Sequence, residues 1–354
     1  MAFIKVITIH DIGNNFGSTL QACALCDFLQ DHGYDVELVD YKPDYAYHHG
    51  KMTELVKWIL FPRNKYLQEK RFDEYFKNHV KRTRRYSNYQ ELCSDEMPDV
   101  YLVGSDQVWN EFYNAGKDPA YYLQFTDCKN KMAYSTSLGQ LHSNEELLRL
   151  RDKIKDFYAV GVREQASVEQ LHKIGMSAVV HVLDPVFLQS REYYINPKFK
   201  NKYGKYLLVY SVNNDALMEK TAETIASKYG LKIVLVGGFT QKTKHDVYLR
   251  NIGPSEFVNL IHNAQFVVAN SFHATALSII MNKQFAVVMS KFSPMRIIDM
   301  LTTAELESQL VKTEEDIDVA LNNIDYVSVN ARIETLRKAS EKFLLGKLAT
   351  LCNS

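Results

Sequence analysis

The 354-residue chain has no excess of either charge, no long apolar run, few cysteines and little glycine or proline, and each shortage removes a class of function. With 42 Lys and Arg against 42 Asp and Glu, the molecule lacks the net field that gathers nucleic acid, so any electrostatic attraction to a partner has to be local. No apolar stretch reaches the roughly 18 residues that span a bilayer. The opening Met1–His10 has neither the basic start nor the apolar middle of a secretion signal, and a cytoplasmic protein is expected. Five cysteines fit reduced thiols. Cys23 and Cys26 form a C-x-x-C, but no second pair accompanies them and they sit inside the helical pattern STLQACALCDFLQ, which reads as two core thiols one turn apart. Histidine pairs at metal-ligand spacing and P-loop glycines are missing from the sequence, so neither a metal nor a cofactor is expected. With 15 Gly, 8 Pro, 46% hydrophobic and 24% charged residues, the composition is that of a folded globular chain.

A chain this long points to two domains rather than one core. FIKVITIH reads as a strand, DIGNNFGS as a polar turn, and TLQACALCDFLQDHG as a helix closed by Gly33. Short apolar strands and helices alternate from there, as in a parallel sheet covered on both faces. The polar stretch PKFKNKYGK, 197–205, reads as a linker, and a second strand–helix series follows it. The expectation is an α/β protein of two Rossmann-like domains facing across a cleft. Residues 1–196 form the first domain, with a basic helical insertion at 51–85, and 197–325 form the second. Residues 326–354 form a helical C-terminal tail. The insertion carries eleven Lys or Arg against four Asp or Glu, interleaved with aromatics. It reads either as a solvated helical face or as a surface for anionic lipid.

Open α/β sheets bind ligands beyond the carboxyl ends of their strands, so chemistry is sought in those loops. After the first strand come Asn14, Asn15, Phe16, Gly17 and Ser18, small enough to admit a ligand to a helix N-terminus, although Ser18 also reads as a simple cap. VGSDQVWN places Asp106 and Trp109 past a strand end, where a carboxylate beside an indole suits a sugar. A capping Asp and a packed Trp give the same pattern. Arg163 ends a strand in YAVGVRE and Arg296 opens a helix in SPMRIIDML; either can grip a carboxylate or phosphate, or pair with a neighbouring acid. His273, in NSFHATAL, falls at a strand-to-helix junction between two apolar runs.

Taken in order, NNFGSTLQACAL, VGSDQVWN, AYSTSLG, GVREQASVEQL, VLDPVFL and the long IGPSEFVNLIHNAQFVVANSFHATALSIIMNKQFAVV resemble the polysaccharide pyruvyl transferase family. The resemblance implies a GT-B-like pair of domains. It also implies transfer of a pyruvyl group from phosphoenolpyruvate, a co-substrate rather than a cofactor, to two hydroxyls of a sugar, giving a ketal and phosphate. The sugar belongs to a cell-surface polysaccharide or its lipid-linked precursor. On that reading His273 and Asp106 are catalytic, Arg163, Arg296, Ser271, His273 and Ala274 hold the donor, and Asn15, Gly17 and Trp109 meet the acceptor. The first domain is then the acceptor side and the second the donor side. A lipid-linked acceptor would give the basic insertion its purpose, a peripheral contact with the inner face of the membrane. Two positions depart from the family pattern: Ala274 where Gly is usual, and Cys23 where an aromatic is usual. The alternatives are a GT-B glycosyltransferase using a nucleotide sugar, for which Asp299 and Glu305 offer ribose-binding carboxylates, and a non-catalytic carbohydrate-binding member of the fold.

Overall fold

The structure is a computed structural model that describes residues 1–10, 14–46, 62–211, 215–237, 243–289 and 294–353. Two compact units divide the chain. The first comprises 1–65, 72–189 and 334–354, and the second 66–71 and 190–333.

The first unit holds a seven-stranded parallel sheet in the order β3-β2-β1-β4-β5-β6-β7. Its strands are β1 (Phe3–Ile7), β2 (Asp35–Leu38), β3 (Lys81–Arg82), β4 (Val100–Val103), β5 (Lys131–Thr136), β6 (Ala159–Val162) and β7 (Val180–His181). Helices α1 (Phe16–Asp31), α2 (Pro62–His79), α3 (Tyr89–Leu92), α4 (Asn144–Ile154) and α5 (Gln165–Lys173) fall between them in the chain. Every residue of β4 and β6 is buried, the pattern of strands covered on both faces. Cys23 and Cys26 are fully buried in the core under α1, and burial pushes both thiols well above the usual range, which suits inert packing.

The second unit repeats the plan with six parallel strands in the order β10-β9-β8-β11-β12-β13. These are β8 (Tyr206–Tyr210), β9 (Lys232–Val236), β10 (Val247–Leu249), β11 (Phe266–Ala269), β12 (Gln284–Val288) and β13 (Leu310–Val311). The helices are α6 (Arg191–Tyr194), α7 (Ala216–Tyr229), α8 (Pro254–Asn263), α9 (Phe272–Ile280), α10 (Met295–Ala304), α11 (Asp316–Ala320) and α12 (Tyr326–Asn353). The two-residue strands β3, β7 and β13 and the three-residue β10 are too short to show a period, and β3, β10 and β13 escape the sequence reading for that reason.

Two boundaries shift from the sequence-based expectation. The units divide at Gln189/Ser190, so the basic stretch 197–205 lies inside the second unit. The C-terminal helix is no separate tail either. From Glu334 it belongs to the first unit, where Leu344, Leu348 and Leu351, spaced to share one face of α12, are buried in the same cluster as Ile4, Val6 and Leu102. Ser340 Oγ accepts the Leu183 N–H at 3.0 Å, and a Cβ added at Gly161 would come within 2.9 Å of the Phe343 ring. The helix therefore completes one face of the first sheet. Among the described residues, no helix is long and apolar enough to cross a membrane.

Candidate active site

In each sheet the strand order reverses direction once, between β1 and β4 in the first unit and between β8 and β11 in the second. Two diverging crossovers leave a crevice at such a point, beyond the carboxyl ends of the strands. Asp106 follows β4 and His273 follows β11, so the two residues expected to carry chemistry stand at the switch points of their own sheets.

In the first unit, Asp106 is 8% exposed and adopts φ 75°, a left-handed conformation that is costly for a residue with a Cβ. Asn14, in the loop after β1, and Ser135, at the irregularity near the end of β5, are also left-handed at φ 60°. The Asp106 carboxylate accepts from Ser18 Oγ at 2.9 Å and from the Gln107 N–H at 2.8 Å. Ser18 thus fastens α1 to the loop after β4, and it does not cap the helix. The cap is Asn15, whose Oδ1 accepts from the N–H groups of Gly17 at 2.9 Å and Ser18 at 3.3 Å. Asn15, Gly17, Ser18 and Asp106 are brought together, and Asn15 rather than Ser18 is the cap.

Trp109 is a different matter. It is 1% exposed, its Nε1–H donates to the Tyr121 carbonyl at 3.0 Å, and its ring lies parallel to Tyr122 with centroids 6.2 Å apart. Of the two readings the sequence offered, packed side chain and sugar plate, the geometry is that of the first.

Arg163 is 4% exposed. Its Nη1 donates to Asp184 Oδ2 at 2.9 Å and its Nε to Glu164 Oε1 at 3.2 Å. Burial works against the charged guanidinium, yet the carboxylates of Glu164, Asp184 and Asp106 together raise its pKa above the usual arginine value. Ser105 Oγ donates to Asp184 at 2.8 Å and Ser137 Oγ to Glu164 at 2.6 Å, so the network knits the ends of β4, β5, β6 and β7. In this geometry Arg163 grips protein carboxylates, the neighbouring-acid alternative left open by the sequence.

A second buried group went unnoticed in the sequence. His10 follows β1 and is 1% exposed; its Nδ1 faces the Thr8 carbonyl at 3.0 Å and its Nε2 faces Asp40 Oδ1 at 3.3 Å. Arg85 Nε donates to Asp40 Oδ2 at 3.1 Å. Burial opposes ionisation of Asp40, but the hydrogen bond and charge of His10 and the charges of Arg85 and Arg82 outweigh it and hold the carboxyl at about 2. The signal was a histidine at a strand end, the same one that drew attention to His273.

In the second unit, α9 begins one residue earlier than the sequence suggests. Ser271 takes the N-cap position, with φ −118° and ψ 135°, and His273 is the second helical residue. The Ser271 side chain makes no capping bond, and its carbonyl accepts from Thr275 N–H at 3.1 Å and Thr275 Oγ1 at 2.9 Å. His273 is 7% exposed, with its ring 5.1 Å from Phe272 and nearly perpendicular to it. The Arg296 guanidinium stands 5.9 Å from the centre of that same Phe272 ring, so Arg296 and His273 both lie near Phe272, next to Ser271 in sequence. Asn270 Nδ2 donates to Ser211 Oγ at 3.4 Å, tying the ends of β8 and β11 beside them. Ala274 is fully buried, so its extra methyl is covered by protein and does not stand in the way of a ligand arriving from solvent.

The basic insertion is only partly described, since 51–61 lie outside the described residues. Beyond them, Lys81 pairs with Glu37 at 2.5 Å, Arg82 with Asp73 at 3.0 Å, Arg85 with Asp40 at 3.1 Å and Arg71 with Glu256 at 3.3 Å. Four of the eleven basic residues of the insertion are thus paired within the protein.

Comparison with solved structures returns UDP-GlcNAc 2-epimerases. The enzyme from Methanocaldococcus jannaschii, in complex with UDP-GlcNAc and UDP, is 12% identical with a TM-score of 0.55, covering 96% of this chain and 100% of its own. That from Rickettsia bellii is 12% identical with a TM-score of 0.53, covering 100% and 97%. That from Neisseria meningitidis, bound to UDP-GlcNAc, is 11% identical with a TM-score of 0.55, covering 99% and 100%. At such identities the likeness establishes the fold, an α/β pair of Rossmann-like units of the GT-B class. No curated protein matches the chain. A family model does: polysaccharide pyruvyl transferase matches residues 15–291, a span that contains Asp106, Arg163 and His273 in their strand-end positions. The chain belongs to the polysaccharide pyruvyl transferase family.

Proposed function

We propose that the protein transfers the pyruvyl group of phosphoenolpyruvate to two hydroxyls of one sugar in a cell-surface polysaccharide or its lipid-linked precursor. The observation that carries this reading is the chemistry of the second unit's carboxyl edge. Residues 270–271 and 289–294, which follow β11 and β12, contain no Asp or Glu, the one acid after β8, Asp215, is spent on capping α7 through the Leu217 N–H at 2.9 Å, and His273 and Arg296 both lie near Phe272 at the start of α9. A helix N-terminus with a cation beside it suits a donor that brings both a phosphate and a carboxylate.

The reaction asks for proton transfers that such a site can supply. One acceptor hydroxyl adds to C2 of the enolpyruvyl group while C3 takes a proton and becomes the methyl. The bond from C2 to the phosphate oxygen breaks, the second hydroxyl adds to C2, and its proton leaves with the phosphate. His273 serves as the acid or base at the donor. Asp106, backed by Ser18, is the base we assign to an acceptor hydroxyl, with Asn15 and Gly17 at the acceptor. Arg163 is assigned to the donor carboxylate only if it exchanges a protein carboxylate for it. No cofactor is required by this chemistry.

The test is phosphate release from phosphoenolpyruvate in the presence of candidate lipid-linked and free saccharide acceptors. Release that depends on acceptor supports the reading, and release that requires a nucleotide sugar instead overturns it. That second outcome has its own support, because structural neighbours are complexes with UDP-GlcNAc and UDP. A melting temperature that rises with phosphoenolpyruvate, without turnover on any acceptor, would mark a carbohydrate-binding member that has lost the reaction. We further place the protein in the cytoplasm with a peripheral contact through 51–85, nine of whose eleven Lys and Arg lie in 62–85. Binding to anionic vesicles that weakens with salt supports it, and salt-independent or absent binding removes it.

A further inference from the structure

In the second unit, away from His273, two basic side chains touch and a third, from another element, lies close enough for its charge to act on them. Arg191 lies in α6, His262 in the last turn of α8, and Lys283 in the turn that joins α9 to β12. His262 ends a helix that leads into β11 and Lys283 directly precedes β12, so both stand at the amino-terminal edge of the sheet. His273 stands at the opposite, carboxyl-terminal edge. Helix α6 packs on α8, and Arg191 Nη2 approaches His262 Nδ1 to 3.4 Å. Because a guanidinium can only donate, His262 accepts at Nδ1 and carries its own proton on Nε2, a donor left over for something else. Lys283 is held by its backbone. Its N–H donates to the Ser278 carbonyl at 2.9 Å, its carbonyl accepts from the Tyr326 hydroxyl, and Asn282 before it is left-handed at φ 52°.

All three side chains are half-buried, and among the described residues none forms an ion pair with a carboxylate. Glu192, next to Arg191 in sequence, feels the Arg191 charge, but it is exposed and hydrogen-bonded to Ser190 and forms no ion pair with Arg191. Burial lowers the pKa of His262, and Arg191 and Lys283 lower it further. Burial, then Arg191, does the same to Lys283. Gathering like charges in a partly dry place is unfavourable unless an anion joins them. Among the described residues the fully buried cations are matched by carboxylates, Lys5 by Asp95 at 2.6 Å and Arg163 by Asp184 at 2.9 Å, and the half-buried Lys131 is met by the carbonyls of Leu123 and Thr126 at 2.8 and 3.1 Å.

We propose that Arg191, His262 and Lys283 form a binding site for a small phosphate-type oxyanion, distinct from the site at His273. The donor set suits that class: a planar guanidinium, an ammonium and one imidazole N–H can each take an oxygen of a tetrahedral anion, whereas a carboxylate has only two oxygens. The site does not depend on the pyruvyl-transfer reading, since it would bind phosphate whatever the protein catalyses.

The experiment follows the His262 ring-proton resonances of the full chain while inorganic phosphate is titrated against chloride at equal ionic strength. It is done in the wild type and in a His273→Ala background, so that binding at the other edge does not contribute. Saturable shifts of His262 in both proteins, weakened roughly tenfold or more by Lys283→Met and by Arg191→Met, support the site. Shifts that chloride reproduces, or that survive both substitutions unchanged, overturn it. A melting curve guards against misfolded variants. If the cluster is a site, phosphate raises the wild-type melting temperature and fails to raise that of Lys283→Met. If Lys283→Met is simply more stable and phosphate moves neither protein, the cluster is unrelieved repulsion and the proposal falls. Glycerol phosphate distinguishes sources: equal affinity assigns a phosphoester ligand, and binding of inorganic phosphate alone assigns the free ion.

Discussion

The two units share a strand order but treat charge at their carboxyl edges in opposite ways. In the first, acids follow four strands: Asp40 after β2, Asp106 after β4, Glu164 after β6 and Asp184 after β7. Three of them are taken up by Arg163, Arg85 and His10 in contacts of 2.9 to 3.3 Å, and the fourth, Asp106, accepts from Ser18. In the second unit the loop after β8 carries one acid, Asp215, which caps α7, and Asn270 and Ser271 after β11 are followed by His273 with no acid between them. One scaffold thus gives an acidic edge whose charges are already balanced, and a neutral-to-basic edge that offers donors. The first suits a neutral polyol, which needs acceptors for its hydroxyls. The second suits an anion.

The sharpest way to break this comparison is at His273. Removing an acid or base that acts on the donor costs roughly 10²–10⁴-fold in turnover. His273→Ala is therefore expected to reduce phosphate release by that factor while phosphoenolpyruvate still binds, as followed by calorimetry. Turnover at the wild-type rate would move the chemistry elsewhere.

Arg163 probes the other edge. If its task is to balance Glu164 and Asp184, Arg163→Met leaves two buried carboxylates without a cation and costs about 3–5 kcal/mol, read as a lower urea midpoint. Arg163→Lys cannot reproduce the fork and recovers only part of that loss. A variant of unchanged stability but with a raised KM for phosphoenolpyruvate would instead return Arg163 to the donor.

These outcomes bear on what was legible in the sequence. The α/β class, most of the longer strands and helices, and the placing of Asp106 and His273 at strand ends followed from apolar runs and turn residues, because those are local properties. What escaped was set by distant parts of the chain. Trp109 in VGSDQVWN is the same residue whether it faces a sugar or the Tyr121 carbonyl, twelve residues on, and only packing decides. Arg163 meets Asp184 from twenty-one residues away. The C-terminal helix reads as a detached amphipath until the sheet that receives Leu344 and Leu348 is known. His10 and Asp40 lie thirty residues apart and carry no motif.

That pair supplies a test by pH. The Asp40 carboxyl is depressed to about 2 in the folded protein against roughly 3.9 unfolded, so its stabilisation is complete above the unfolded value and disappears as the pH falls through the folded one. Asp40→Asn is expected to cost about 2 kcal/mol at pH 7, with the gap from wild type closing as the pH is lowered from about 5 toward 2. Urea midpoints across that range check it. A gap that is constant with pH would mean that the side chain contributes shape and not charge.

The smallest expected effect separates cap from contact at Asn15. As the cap of α1 it should yield about 1 kcal/mol on replacement by alanine, while Asn15→Ser, which keeps a capping oxygen, should lose little. Acceptor binding is the discriminating readout. Asn15 Oδ1 is already engaged by the Gly17 and Ser18 N–H groups, and only its amide nitrogen is left for a sugar. If Asn15 serves the helix alone, Asn15→Ser keeps both stability and the acceptor KM. If it also meets the acceptor, Asn15→Ser keeps stability and raises that KM, because serine has the oxygen for the cap but not the amide NH2 that reaches beyond it. The second result would extend the acceptor side of the first unit from Asp106 to the start of α1, and the first would leave Asp106 and Ser18 to hold it.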